Sequence, residues 1–190
     1  MERLFIETER LIITEFDKSM AEDVHKNSLD EDTRRFVPDE VLETVEDARK
    51  TILYLMGCYK GNTGPFVYPV LTKTNENIGY AQAIPTEEGW EIGYHIANNY
   101  TRNGYVTEAV KSFVPLIMKR LGIDRIYGLC AFDNAASCKV LENCGFSLIY
   151  RGTGDYQGNK REICRYSYHI VEALDNEQSG REVTCGGFNE

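Results

Sequence analysis

A single-domain mixed α/β (α+β) fold is predicted by three features of the sequence. Short alternating, β-branched runs are separated by segments of helical period. In the middle of the chain three such runs follow one another through tight polar turns, which makes an antiparallel meander. Beyond it come a strand, a helix and a strand, and that crossover implies locally parallel pairing. The order along the chain is β-α-α-β-β-β-α-β-α-β-β, seven strands and four helices. A length of 190 residues and a hydrophobic content of 42% suit one domain with a real core. We place that domain at residues 1–171 and read 172–190 as a polar, glycine-containing tail.

Each element has its own signal. Arg10 to Phe16 alternates and is β-branched, a strand. Asp17 can cap a helix that starts near Lys18 and runs to Leu29. Pro38 lies in a loop, and the acids of D-E-D-T-R-R-F-V-P-D-E (Asp30 to Glu40) read as a solvated loop or as the place where a cationic amine enters. From Thr44 onward, Val45, Ala48, Ile52, Leu55 and Met56 recur at helical spacing, with acids in the first turn. Gly57 and Gly61 bring that helix to its end. Phe66 to Lys73 is a strand, which Pro69 confines to an edge or a bulge. After the T-N-E-N turn, Ile78 to Ile84 returns as its hairpin partner; after T-E-E-G, Trp90 to Ile96 follows. Val106, Ala109, Val110, Phe113, Ile117 and Met118 form the apolar stripe of the third helix, which stops at Leu121-Gly122. Asp124 to Phe132 is a strand, and Asp133 to Phe146 a short helix closed by Gly145. Ser147 to Gly152 and Arg161 to Ile170 flank a glycine-rich connection.

Composition narrows the function. A formal net charge of -9 argues against nucleic acid and anionic membranes as partners, and mildly favours a cationic substrate. No apolar run approaches the roughly 20 residues that span a bilayer. The start, M-E-R-L-F-I-E-T-E-R, carries acids where a signal peptide needs a basic segment and a long apolar centre, so a cytoplasmic location is expected. The six cysteines form no C-x-x-C pair, and there are three histidines; buried reduced thiols and no metal are expected.

Two junctions carry chemistry. N-N-Y-T-R-N-G-Y-V-T-E-A (Asn98 to Ala109) follows the strand W-E-I-G-Y-H-I and opens a helix. A helix start has unpaired N–H groups and about half a positive charge, and a glycine in the preceding loop lets more amides converge. Together these suit an anion. Gly104 permits the close approach, and the amides from Arg102 to Thr107 are the donors. N-A-A-S-C-K-V-L-E-N-C-G-F then opens the next helix directly after the next strand. Asn134 and Ser137 point off one face near its start. Asn134 is either an N-cap or an amide that holds a ligand. Both helix starts open on the edge where ligands of α/β sheets gather.

In order and spacing, W-E-I-G-Y-H-I, N-G-Y-V-T-E-A-V and N-A-A-S-C-K-V-L-E-N-C-G-F resemble the GNAT superfamily of N-acetyltransferases, most of all its ribosomal-protein N-terminal acetyltransferases. T-E-R-L-I-I-T (Thr8 to Thr14) agrees, and the similarity spans Thr8 to Ile170. The resemblance implies a twisted, mostly antiparallel sheet of about seven strands flanked by about four helices, with the fourth and fifth strands splayed. It implies acetyl-coenzyme A as cosubstrate, with pyrophosphate on Thr101, Arg102, Asn103, Gly104, Tyr105 and Val106, and Thr107 beside them. The pantetheine would pair with the backbone of Tyr94, His95 and Ile96 and meet Asn134, while Lys139 approaches the adenosine end. Thr101 and Val106 depart from the family's pattern, and the bulk of Val106 is expected to reshape the phosphate site. A monomer or homodimer is implied.

Acetyl transfer to an amine needs a base for the ammonium proton, a donor to the thioester oxygen and an acid for the thiolate. Glu91, Gly93 and His95 alternate onto one strand face. Glu91 is the candidate base, directly or through water, with His95 as rival. Leu141-Glu142 stands where many relatives keep a tyrosine; Ser137 resembles the serine that serves as the acid in the ribosomal-protein subgroup, and its other reading is a first-turn hydroxyl bonding backbone. The expected function is N-acetyl transfer to a primary amine: a protein N-terminus, a polyamine or a small amine. The alternative is a non-catalytic coenzyme-binding or regulatory module.

Overall fold

The computed structural model describes residues 3–170. Among these residues one sheet contains eight strands: Ile6–Glu7 (β1), Leu11–Ile13 (β2), Phe66–Thr72 (β3), Asn77–Thr86 (β4), Gly89–Ile96 (β5), Arg125–Ala131 (β6), Ser147–Tyr156 (β7) and Asn159–His169 (β8). Their spatial order is β1-β2-β3-β4-β5-β6-β8-β7. Only β5 and β6 run parallel. The five α-helices described are Ala21–Ser28 (α1), Glu31–Phe36 (α2), Val45–Cys58 (α3), Tyr105–Leu121 (α4) and Ala135–Asn143 (α5).

The predicted caps operate. Asp17 accepts from the Ser19 amide and starts a 3-10 turn that runs into α1; Thr44 accepts from the Asp47 amide at the head of α3. The apolar stripe of α4 is fully inside: Ala109, Val110, Phe113, Val114, Ile117 and Met118 are all buried. Burying one side chain such as Phe113 contributes roughly 1.5–3 kcal/mol. That stripe packs on the sheet face that carries Tyr68, whose ring meets Phe113. The register places Tyr68, Ala81 and Tyr94 on this face, and Val67, Gln82 and Gly93 on the other, toward α1 and α3.

Two details of the expected order differ. The sheet has eight strands rather than seven, because Ile6–Glu7 adds a short edge strand to β2. There are five helices rather than four, because D-E-D-T-R-R-F is not loop. Asp30 caps this short helix, accepting from the amide and the hydroxyl of Thr33. Of the two readings of Pro69, it does not mark an edge: β3 lies between β2 and β4. The bulge alternative is the one found, with a register shift at Val70/Leu71 beside it. The Pro69 carbonyl accepts from Thr14, just past the last residue of β2. The nitrogen of Pro69 faces the same side, where β2 has already ended, so its missing N–H costs little.

No helix among the described residues is long and apolar enough to cross a membrane. Their five cysteines are free thiols; Cys185 and the tail expected over 172–190 lie outside the described residues.

Candidate active site

The parallel pair opens into a slot. β5 and β6 match only at Glu91↔Tyr127 and Ile92↔Gly128. β5 continues to Ile96 and β6 to Ala131 with no further pairing between them. Main-chain groups of β5 beyond Ile92 therefore face a gap, and such groups demand a partner. Helix α5 sits over the gap. Its Leu141 packs so tightly on Gly128 that a Cβ there would lie 2.7 Å from a Leu141 methyl. Its first turn is tied to β5: the Tyr94 hydroxyl lies 2.9 Å from both the carbonyl and the Oγ of Ser137.

At the end of β5 a 3-10 turn, Asn98–Tyr100, leads into the loop before α4. Thr101 closes that turn by donating its hydroxyl to the Asn98 carbonyl, 2.8 Å. Arg102 (φ 64°) and Gly104 (φ 77°) both adopt left-handed backbone, and Gly104 is the N-cap of α4 with no side chain capping the first turn. The amide groups that open α4 are thus unclaimed by a cap. Glu108, an acid in this first turn, is held away from any anion. It accepts from the Thr8 hydroxyl (2.6 Å), the Arg10 amide (3.0 Å) and Arg10 Nε (2.6 Å). Burial raises its pKa, but these donors outweigh burial and keep the carboxyl ionised at a lowered value. Arg10 also donates to the Asn103 carbonyl, 2.9 Å, and stacks on Tyr105. The loop is thereby pinned to the N-terminal strands.

On the sheet face away from α4, Glu91, Gly93 and His95 stand opposite Ile84, Gln82 and Tyr80. They line a cleft of about 340 Å³ together with Tyr94, Asn134, Ser137 and Tyr156. Burial lifts the Glu91 carboxyl to about 7; Arg165 pulls the other way and Glu88 adds to the rise. His95 Nε2 lies 2.9 Å from an Asp30 oxygen and 3.1 Å from the Thr33 hydroxyl, and its ring stacks on Tyr80. Burial raises the Asp30 pKa, yet hydrogen bonds from His95 and Thr33 more than reverse this and bring it to about 2. With Asp30 anionic, Nε2 carries the proton.

The predicted site residues thus divide. Glu91, His95, Tyr94, Asn134 and Ser137 meet at the cleft. Residues Thr101 to Thr107 form the separate loop at α4, Ile96 is buried at the end of β5, and Lys139 is exposed on α5. Asn134 is the N-cap of α5, its Oδ1 accepting from the Ser137 amide at 3.1 Å, so its amide NH₂ is left for another partner. Sequence reasoning missed Tyr156 here, and it named Asp30 and Glu40 only as the ends of an acidic segment over which a cationic amine could enter. Asp30 fixes His95, Glu40 faces Tyr80 and Gln82, and Tyr156 reaches the cleft from the β7–β8 hairpin. Only the aromatic residue inside G-D-Y-Q-G-N hinted at Tyr156. Burial holds its phenol protonated, pushed up to about 12.

A protein-family model described as "Acetyltransferase (GNAT) domain" matches residues 10–147. The chain is 28% identical over 144 residues to the uncharacterized N-acetyltransferase YoaA of Bacillus subtilis (strain 168), covering 74% of this chain and 81% of that protein. An acetyltransferase of the GNAT family from Bacillus anthracis has the same fold, with a TM-score of 0.74 at 25% identity over 87% of this chain and 98% of that one. RimL, a ribosomal alpha-N-protein acetyltransferase in complex with coenzyme A, shares the fold with a TM-score of 0.74 at 19% identity, over 88% of this chain and 98% of its own.

Proposed function

Because this chain belongs to the GNAT acetyltransferase family, we propose that it moves the acetyl group of acetyl-coenzyme A to a primary amine by direct attack on the thioester. One observation carries the reading: β5 and β6 part beyond Ile92 and Gly128, beside a helix start at Gly104 that no side chain caps. The gap suits a narrow chain that can pair with strand backbone, and the helix start suits a diphosphate. RimL, of the same fold, is described in complex with coenzyme A.

In this reading the amides from Thr101 to Thr107 hold the pyrophosphate, with the Arg102 side chain beside them. The backbone of Tyr94, His95 and Ile96 and the amide of Asn134 hold the pantetheine, and Lys139 lies toward the adenosine. Acetyl-coenzyme A supplies the acyl group already activated as a thioester. Glu91 is the base. A carboxylate of pKa about 7 is half ionised at neutral pH and strong enough to take a proton from an ammonium, directly or through water. His95 is the weaker candidate, since its Nε2 is committed to Asp30 and Thr33; it positions rather than abstracts. As the amine nitrogen bonds to the carbonyl carbon, a backbone N–H of β5 near Ile96 donates to the developing oxyanion. When the carbon–sulfur bond breaks, Ser137, its Oγ held by the Tyr94 hydroxyl, gives its proton to the thiolate and is resupplied, through solvent, by the second proton that the acylated nitrogen sheds, while Glu91 releases the first to solvent.

The test is thiol release from acetyl-coenzyme A in the presence of a panel of primary amines, alongside the coenzyme-induced rise in melting temperature. Release that depends on both reactants is expected. A melting shift with no release for any amine would make the chain a coenzyme-binding module, and no shift at all would remove the coenzyme.

A further inference from the structure

We propose that the acceptor is a small primary amine with an apolar, phenyl-sized body, its ammonium directed to Glu40 and its body lodged between α1, α3 and strands β3 and β4. This rests on the acetyl-transfer reading above. Beside the cleft lies a second cavity of about 330 Å³, within the size range of small-molecule sites. The two cavities share Glu40, Tyr80, Gln82, Ile84 and His95, so the second one adjoins the point where an amine would meet Glu91.

The chemistry of its lining selects the ligand. The walls are mostly apolar, built by Phe16, Val24, Leu42, Leu55 and Val67. Among the described residues its only acids are Asp39 and Glu40, adjacent in the chain and therefore at one end. Tyr80 and Gln82 donate to the two carboxyl oxygens of Glu40, which orients a half-buried acid toward the shared region. Burial pushes the Glu40 carboxyl up, Gln82 and His95 only partly offsetting this, so a cation that arrives there relieves a desolvated anion. A second feature points to an occupant. Asn77 is 4% exposed and lines the same cavity. Its Oδ1 accepts from the Gly79 amide, yet its Nδ2 is buried with no hydrogen-bond partner. An oxygen on the ligand body would take that donor.

Two other amine classes fit less well. A polyamine would set a second ammonium against apolar walls that hold no counter-charge. A protein N-terminus would set a run of peptide groups against mostly apolar walls, where Asn77 Nδ2 is the buried side-chain donor left without a partner among the described lining residues.

The experiment uses the full chain with saturating acetyl-coenzyme A. Thiol release is followed with 2-phenylethylamine, ethylamine, spermidine and a peptide with a free N-terminus. We expect kcat/KM for 2-phenylethylamine to exceed the other three by at least about tenfold, the scale on which apolar pockets discriminate. V24F, which fills the cavity, should cut that advantage over ethylamine about tenfold. The ratio on the unaltered chain stands even if V24F fails to fold. Release led by spermidine or the peptide overturns this assignment but not acetyl transfer. If none of the amines gives release, whether or not acetyl-coenzyme A shifts the melting temperature, the acetyl-transfer reading falls and this one with it.

Discussion

The carboxyl of Glu91 shares a strand face with Gly93 and His95, and that placement was legible from alternation alone. What alternation could not supply is which of the two titratable groups is available. Asp30 decides that from a helix 65 residues earlier in the chain by binding His95 Nε2. Because burial brings Glu91 to about 7, activity should depend on its ionisation. Below pH 7, kcat/KM is expected to fall about tenfold per pH unit as the base is protonated. E91Q should lower kcat by about 10²–10⁴-fold, the usual size of a general-base contribution, and remove the limb near pH 7. A profile for E91Q that keeps this limb would move the base elsewhere. Tyr156, missed at this scale, and the particular roles of Asp30 and Glu40 rest on ordinary local sequence; each residue reaches the cleft only through packing of distant segments.

The loop and helix α4 act as one element. Its start was readable because glycine, a polar run and an apolar stripe follow in that order. The clamp on it was not readable. Thr8 and Arg10 grip Glu108 across about a hundred positions of sequence, and Arg10 also holds the Asn103 carbonyl. Gly104 at φ 77° holds left-handed backbone that alanine adopts only at a cost. G104A should cost about 1–2 kcal/mol in strain and lower the melting temperature by roughly 2–8 °C. It should also raise KM for acetyl-coenzyme A severalfold, because the same backbone aims the amides. An unchanged KM would separate this loop from the coenzyme. At the same scale, α2 escaped sequence reading because six residues are too few for a visible period, although Asp30 followed by acids was a start signal.

For the molecule as a whole, the buried carboxyls set how stability varies with pH. Glu91 has an ordinary value of 4.5 and a folded value of about 7. A raised carboxyl favours the folded state while protonated; that stability is present below pH 4.5 and is lost as pH rises toward 7. Asp30 is opposite: lowered from 3.8 to about 2, it stabilises above pH 4 and fails as pH falls through 2. Stability should therefore fall between pH 5 and pH 8, by on the order of 3 kcal/mol at most from Glu91, and the melting temperature should fall with it. E91Q should flatten this slope, and a slope unchanged in E91Q would mean that the group is not buried as described. The amino-acid sequence by itself determined the order of elements apart from β1 and α2, the cap at Asp17, the α3 start at Thr44, the α4 stripe and the two helix starts. Those depend on spacing and on residues a few positions apart, which any chain carries locally. Tertiary structure alone decided where β5 and β6 part, which partner restrains His95, and that an apolar cavity ends on Glu40. Each of these depends on contacts between residues far apart in the chain, whose distances are set by packing and not by spacing.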